Sequence, residues 1–103
     1  MEDKAIALLE VQALVAAITG LDAMLKAANV QFICAEKRLG GKLVTVVVEG
    51  SVSAVTAALE AGVAAAAEVG VVRLHEVIPR PHPGILPSIA SAPFSLPNST
   101  NKN

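Results

Sequence analysis

A chain of 103 residues fits a single domain, and with 53% hydrophobic residues, 2% aromatic residues, no Trp and no Tyr its core must be built from Val, Ile, Leu and Ala. A formal net charge of −1 leaves no electrostatic footprint for nucleic acid. The single cysteine, Cys34, excludes an intrachain disulfide framework, Glu2 and Asp3 are wrong for a secretory signal, and no apolar run approaches the ~18 residues of a membrane span, so a soluble, cytosolic protein is expected.

Residues 4–10, short, apolar and bounded by charge, read as a strand. Residues 13–28 read as a helix in which Leu14, Ile18, Leu21 and Leu25 recur at helical spacing and share one face. Residues 30–37 and 43–49 read as two strands joined by a glycine-containing hairpin connection, Arg38, Leu39, Gly40, Gly41 and Lys42. Ser51 or Ser53 can cap the next helix, which runs to about Val69 with Val52, Val55, Leu59 and Val63 on one face and Gly70 placed to end it. This helix is rich in alanine, and small side chains let a helix come close to a sheet or another helix. Residues 71–78 form the last strand, stopped by Pro79.

The order β-α-β-β-α-β predicts an α/β (α+β) domain of ferredoxin-like arrangement over residues 1–82. All six prolines lie at or after Pro79, and residues 83–103 run through Pro83, Pro87, Pro93 and Pro97 into an Asn- and Ser-rich end. That segment reads as a C-terminal tail, loosely packed or disordered. Its Ile85, Leu86, Ile89, Phe94 and Leu96 leave room for a short element that docks on the domain or on a neighbour.

The chain offers little for catalysis. His75, His82, Cys34 and the carboxylates form no recognisable nucleophile–base or acid–base arrangement, so no enzyme is expected. No second ligand stands at convincing spacing from His82, so neither a metal nor a cofactor is expected. Gly40, Gly41 and Lys42 are not a phosphate-binding loop, because the first glycine and the Ser or Thr after the lysine are missing.

With these elements placed, four stretches resemble the bacterial microcompartment shell proteins, in the right order and nearly without gaps over residues 4–82. They are Asp22 to Val30 at the end of the first helix, Leu43 to Gly50 in the third strand, the Ala-rich run around Ala57, Ala61, Gly62 and Ala64 to Ala67, and Val77, Ile78, Pro79, Arg80, Pro81 and His82. The length is similar to that of the single-domain class. The resemblance implies a structural protein, not an enzyme. It implies a homohexamer that tiles with itself and with other shell proteins around encapsulated enzymes, inside the cytoplasm, with a central pore for small metabolites.

The resemblance also implies site residues. Lys26, Asn29, Arg80 and His82 would form the hexamer edge. Lys26 suits that place because a long aliphatic stem can lie on a neighbour while its ammonium reaches carbonyls. Arg80 offers several donors in fixed geometry between two prolines. Residues 38–42 would form the pore loop. The chain departs from the family pattern in places. The loop is one residue longer, a basic residue and a glycine near Gln12 and Ala13 are lost, Glu49 stands where arginine is common, and Cys34 replaces what is commonly glycine. The usual histidine position is taken by Glu76, which moves His75 to the opposite side of the strand. A different class of function remains open at this point: a small-molecule-binding regulatory module on a ferredoxin-like oligomeric fold, holding an anion at Gly40 and Gly41.

Overall fold

The structure, a computed structural model, describes residues 4–79. The tail and the expected edge residues Arg80 and His82 lie outside the described residues. The elements follow the expected order: β1 (Ala5–Gln12), α1 (Leu14–Ala27), β2 (Gln31–Arg38), a short 3-10 turn (Leu39–Gly41), β3 (Leu43–Gly50), α2 (Val52–Ala67) and β4 (Val72–Pro79). The four strands form one antiparallel sheet in the order β2-β3-β1-β4, the ferredoxin-like topology.

The central pair β1 and β3 reads as nearly continuous apolar sequence because both of its faces are buried. One face carries Ala5, Ala7, Leu9, Val11, Val44, Val46 and Val48, which pack with Ala16, Ala17 and Met24 of α1 and Val55, Ala58, Leu59 and Ala66 of α2 into the main core. Burying an aliphatic side chain of this kind stabilises by about 1.5–3 kcal/mol.

The two helices meet through glycine. A Cβ on Gly62 would stand 2.5 Å from Met24 Cγ, and one on Gly20 would stand 2.8 Å from Leu9 Cδ2 and 3.3 Å from the Gly62 carbonyl oxygen. The alanine-rich composition of α2 thus serves close helix packing. Ser51 is the N-cap of α2, its Oγ accepting from the Ala54 amide at 3.1 Å. Gly70 ends the segment for a reason other than a left-handed backbone: its Cα lies so close to Ala16 and Gln12 that an added Cβ would sit 2.6 Å from Ala16 Cβ.

Of the apolar stripe of α1, only Leu21 packs against the core, half-buried, and the other three members point away from it. Leu14, Ile18 and Leu25 are 46%, 59% and 43% exposed, while the small or flexible residues Ala16, Ala17, Gly20 and Met24 face the sheet and α2. Helical spacing identified a shared face, but the close approach at Gly20 reserves the inner face for small side chains.

Candidate functional site

The expected pore loop occupies one end of the sheet. Arg38 ends β2 half-buried, and Leu39, 72% exposed, begins a turn in which Leu39, Gly40 and Gly41 all have positive φ (55°, 68° and 90°). Glycine adopts this region freely, so Gly40 and Gly41 suit it, and nothing lies within 4 Å of a Cβ added to either. Lys42 is exposed, and its carbonyl accepts from the Ala13 amide at 3.1 Å. That bond ties the loop to the start of α1. A groove of 610 Å³ runs between them, lined by Gln12, Ala13, Leu14, Leu39, Gly40, Gly41, Lys42 and Leu43.

Ala13 is a feature that spacing did not reveal. Its φ of 82° lies in the left-handed half of the map that L-residues rarely adopt, and α1 has no side-chain N-cap. Lost glycine in the family pattern was the available signal: the backbone keeps a glycine-like conformation and alanine occupies it.

Lys26 and Asn29, the two expected edge residues among the described ones, lie at the opposite end of the sheet. Lys26 stands in the last turn of α1, 77% exposed, with Nζ 3.1 Å from Asp22 Oδ2. Asn29 is exposed in the connection to β2, and its carbonyl would lie 3.1 Å from a Cβ on Gly50. Asn29 lines a second cavity of 510 Å³ with Lys4, Gln31, Glu49, Gly50, Ser51 and Ala54. Pro79, the residue before Arg80, pairs with Ala5, which pairs with Gly50. The described chain therefore ends beside Lys26 and Asn29. Strands of eight residues at ~3.4 Å each separate this end from the loop by about 27 Å.

Between the ends, exposed apolar side chains continue along one flank. Leu14 and Leu39 line the same groove. Val71, 50% exposed, accepts through its carbonyl from the Gln12 amide at 2.8 Å, which sets it and Val69 (49% exposed) beside the start of α1, where Val15 (64%) and Ile18 are also bare.

The face of the sheet away from the helices is mixed. Thr45 Oγ1 donates to Glu10 Oε1 at 3.3 Å. A bulge at Ile33 sets Cys34 opposite Val47, where burial first and then the charge of Glu36 push the thiol's pKa up from 9.0. Cys34 is a half-buried free cysteine, and its raised pKa gives it none of the thiolate character of an activated nucleophile. His75 pairs with Leu9 on the helix-bearing face and borders a small cavity with Thr56 and Glu60, whereas Glu76 pairs with Leu8 on the other face. Among the described residues no three His, Cys, Asp or Glu side chains could hold a metal ion, and no helix is long and apolar enough to cross a membrane.

Residues 5–81 match the model of the BMC domain. The chain is 51% identical over 82 residues to the bacterial microcompartment shell protein PduA of Citrobacter freundii, covering 80% of this chain and 87% of the relative. It is 46% identical over 79 residues to the shell protein EutM of Escherichia coli K12, covering 77% and 80%. A crystal structure of a microcompartments protein from Desulfitobacterium hafniense superposes with a TM-score of 0.74 at 33% identity, over 87% of this chain and 48% of that longer one. The chain therefore belongs to the BMC-domain family, whose members are structural components of bacterial microcompartment shells and not enzymes.

Proposed function

We propose that this chain forms cyclic homohexamers that tile edge to edge, with other shell proteins, into the wall of a microcompartment around its enzymes. The observation that carries this reading is the apolar flank that a single chain leaves bare: Leu14, Val15, Ile18, Leu39, Val69 and Val71. A flank of this kind, beside a groove of 610 Å³, suits heterologous contact between rotated copies, which closes into a ring when the rotation closes.

Residues 38–42 would then surround the sixfold axis, and Lys26, Asn29, Arg80 and His82 would stand at the rim. The opposite placement of Lys26 and Asn29 from the loop supports this assignment. Around the axis, glycine lets backbones converge, and six exposed Lys42 ammonium groups favour small polar or anionic metabolites. At the rim, the exposed Lys26–Asp22 pair is worth only about 0.3–0.5 kcal/mol, so carbonyls of a facing hexamer can draw the ammonium away.

Sedimentation should give a native mass of six chains, and electron microscopy at low salt should show sheets or tubes. A stable monomer at high concentration would overturn the proposal. Lys26→Asp, and independently Arg80→Ala, should leave the hexamer intact and stop sheet growth. Extended sheets formed by both variants would remove these residues from the rim.

A further inference from the structure

Two non-glycine residues among the described ones have positive φ, Ala13 at 82° and Leu39 at 55°. They are far apart in sequence and close in space, since both line the groove of 610 Å³. Ala13 is the more demanding. With ψ at 140° it stands at the margin of a backbone region that is essentially reserved for glycine. Leu39 is bulky, and is not one of the Asn, Asp or His residues that tolerate positive φ best.

A strained residue persists only where its surroundings over-determine it. At Ala13 two backbone bonds do so. The Gln12 amide donates to the Val71 carbonyl at 2.8 Å on one side, and the Ala13 amide donates to the Lys42 carbonyl at 3.1 Å on the other. Little else steadies the junction, because α1 has no side-chain cap and no acidic residue in its first turn. The loop is thinly held as well. Leu39 is 72% exposed, and nothing lies within 4 Å of a Cβ added to Gly40 or Gly41. The turn closes on itself, with the Lys42 amide donating to the Leu39 carbonyl at 3.3 Å, and the Lys42 carbonyl carries its bond to α1.

We propose that the Ala13–Lys42 bond is a strained latch, so that residues 38–42 exchange between a tied state and a released one. In the tied state Ala13 is held in its glycine-like conformation. In the released state Ala13 relaxes to negative φ and the loop moves free of α1. The net worth of one neutral backbone hydrogen bond is of the same order as the strain it holds at Ala13, so the two effects nearly offset. Breaking the bond leaves the Ala13 amide and the Lys42 carbonyl beside an open groove, where water takes up both. The consequence for passage rests on the reading of residues 38–42 as the loop around a sixfold axis. Six latches would then set the width of the opening, and a metabolite that touches one state better than the other would shift the balance by that difference. The latch itself lies within one chain and does not need the ring.

Amide hydrogen exchange in the full chain tests this, with sedimentation run alongside to record the assembly state. The Ala13 amide should exchange ~100-fold faster than those of Leu9 and Val46, which pair in the centre of the sheet, and at a rate that low urea does not change, the signature of local opening. Ala13→Gly relieves the tied state and should slow exchange at that position ~10-fold after correction for intrinsic rates. Gly41→Ala acts in the opposite sense. Its Cβ meets nothing within 4 Å, so the added cost is that of a φ of 90° alone, and exchange at Ala13 should quicken ~10-fold. An Ala13 amide that exchanges at the rate of the sheet, and with its urea dependence, overturns the latch, because the bond then breaks only on global unfolding. An unaltered rate in either variant overturns it as well, because strain then plays no part. A chain that shows the expected exchange yet never sediments as six copies refutes the ring and keeps the latch.

Discussion

The inner and outer faces of α1 differ more than their sequence hydropathy does. The inner face holds Ala16, Ala17, Gly20 and Met24, all buried, and it is sealed by α2 and the sheet of the same chain. The outer face holds Leu14, Val15, Ile18 and Leu25, larger and more apolar, and a single chain leaves it 43–64% exposed. Fold stability thus draws on the small residues of the helix, and the proposed assembly would draw on the large ones. Small residues on the inside permit the close helix–helix contact that makes the domain. Large residues on the outside are free to serve contact between copies.

The sharpest way to break this comparison is to crowd the inner face. Gly62→Val puts a branched side chain into Met24 and should destabilise the fold by about 3 kcal/mol, read as a lower midpoint in urea with unchanged slope. The outer face should behave in the opposite sense. Ile18→Asp should leave the urea midpoint of the separated monomer within about 0.5 kcal/mol of the parent, because the side chain is already 59% exposed. It should nonetheless weaken association by about 2 kcal/mol per contact, moving the sedimenting species from six chains toward one. Equal loss of fold stability in both variants would abolish the distinction between the faces.

A smaller effect is expected where the two faces meet the loop. Ala13→Gly relieves a positive φ that costs an L-residue about 1–3 kcal/mol and adds unfolded-state freedom that costs about 0.4–1 kcal/mol. The net expectation is a gain of about 1 kcal/mol in thermal or urea unfolding. A loss would show that the alanine methyl makes a contact worth more than the strain. The smallest effect concerns the far side of the sheet. Burial, and then Glu36, raise the Cys34 pKa above 9.0, so the folded chain holds that proton more tightly than the unfolded chain. Stability from this source is complete below about pH 9 and declines as pH rises through the folded-state value. Cys34→Ser should flatten that part of the alkaline stability curve, and an unchanged slope would place the alkaline sensitivity elsewhere.

Much of the architecture was legible because local signals agreed with one another. The valine run of β3, the serine cap of α2, the turn at Gly40 and Gly41 and the stop at Pro79 each lie where elementary propensities put them, to within one or two residues. The orientation of α1 was not legible. A leucine stripe at helical spacing looks the same whether it faces the chain's own core or a second copy, and only the glycine contact at Gly20 and Gly62 reveals which side is taken. The glycine-like backbone of Ala13 was hidden for a related reason, since nothing in an alanine announces a positive φ.

The residues proposed for the pore loop and the edge stand out as motifs in the sequence, but the distance between them does not. Lys26 and Asn29 lie twelve and nine positions before Arg38 in sequence and about 27 Å from the loop in space, because an eight-residue strand runs between them. The sequence by itself determined the order of elements, the aliphatic core and the family, since each depends on residue type and local spacing. Tertiary structure alone decided which face of α1 is inside, which face of the sheet carries Cys34 and Glu76, and that Lys26 and Asn29 stand at the opposite end of the sheet from residues 38–42. Those outcomes depend on how closely two backbones approach and on strand register, and both are settled only when distant segments pack together.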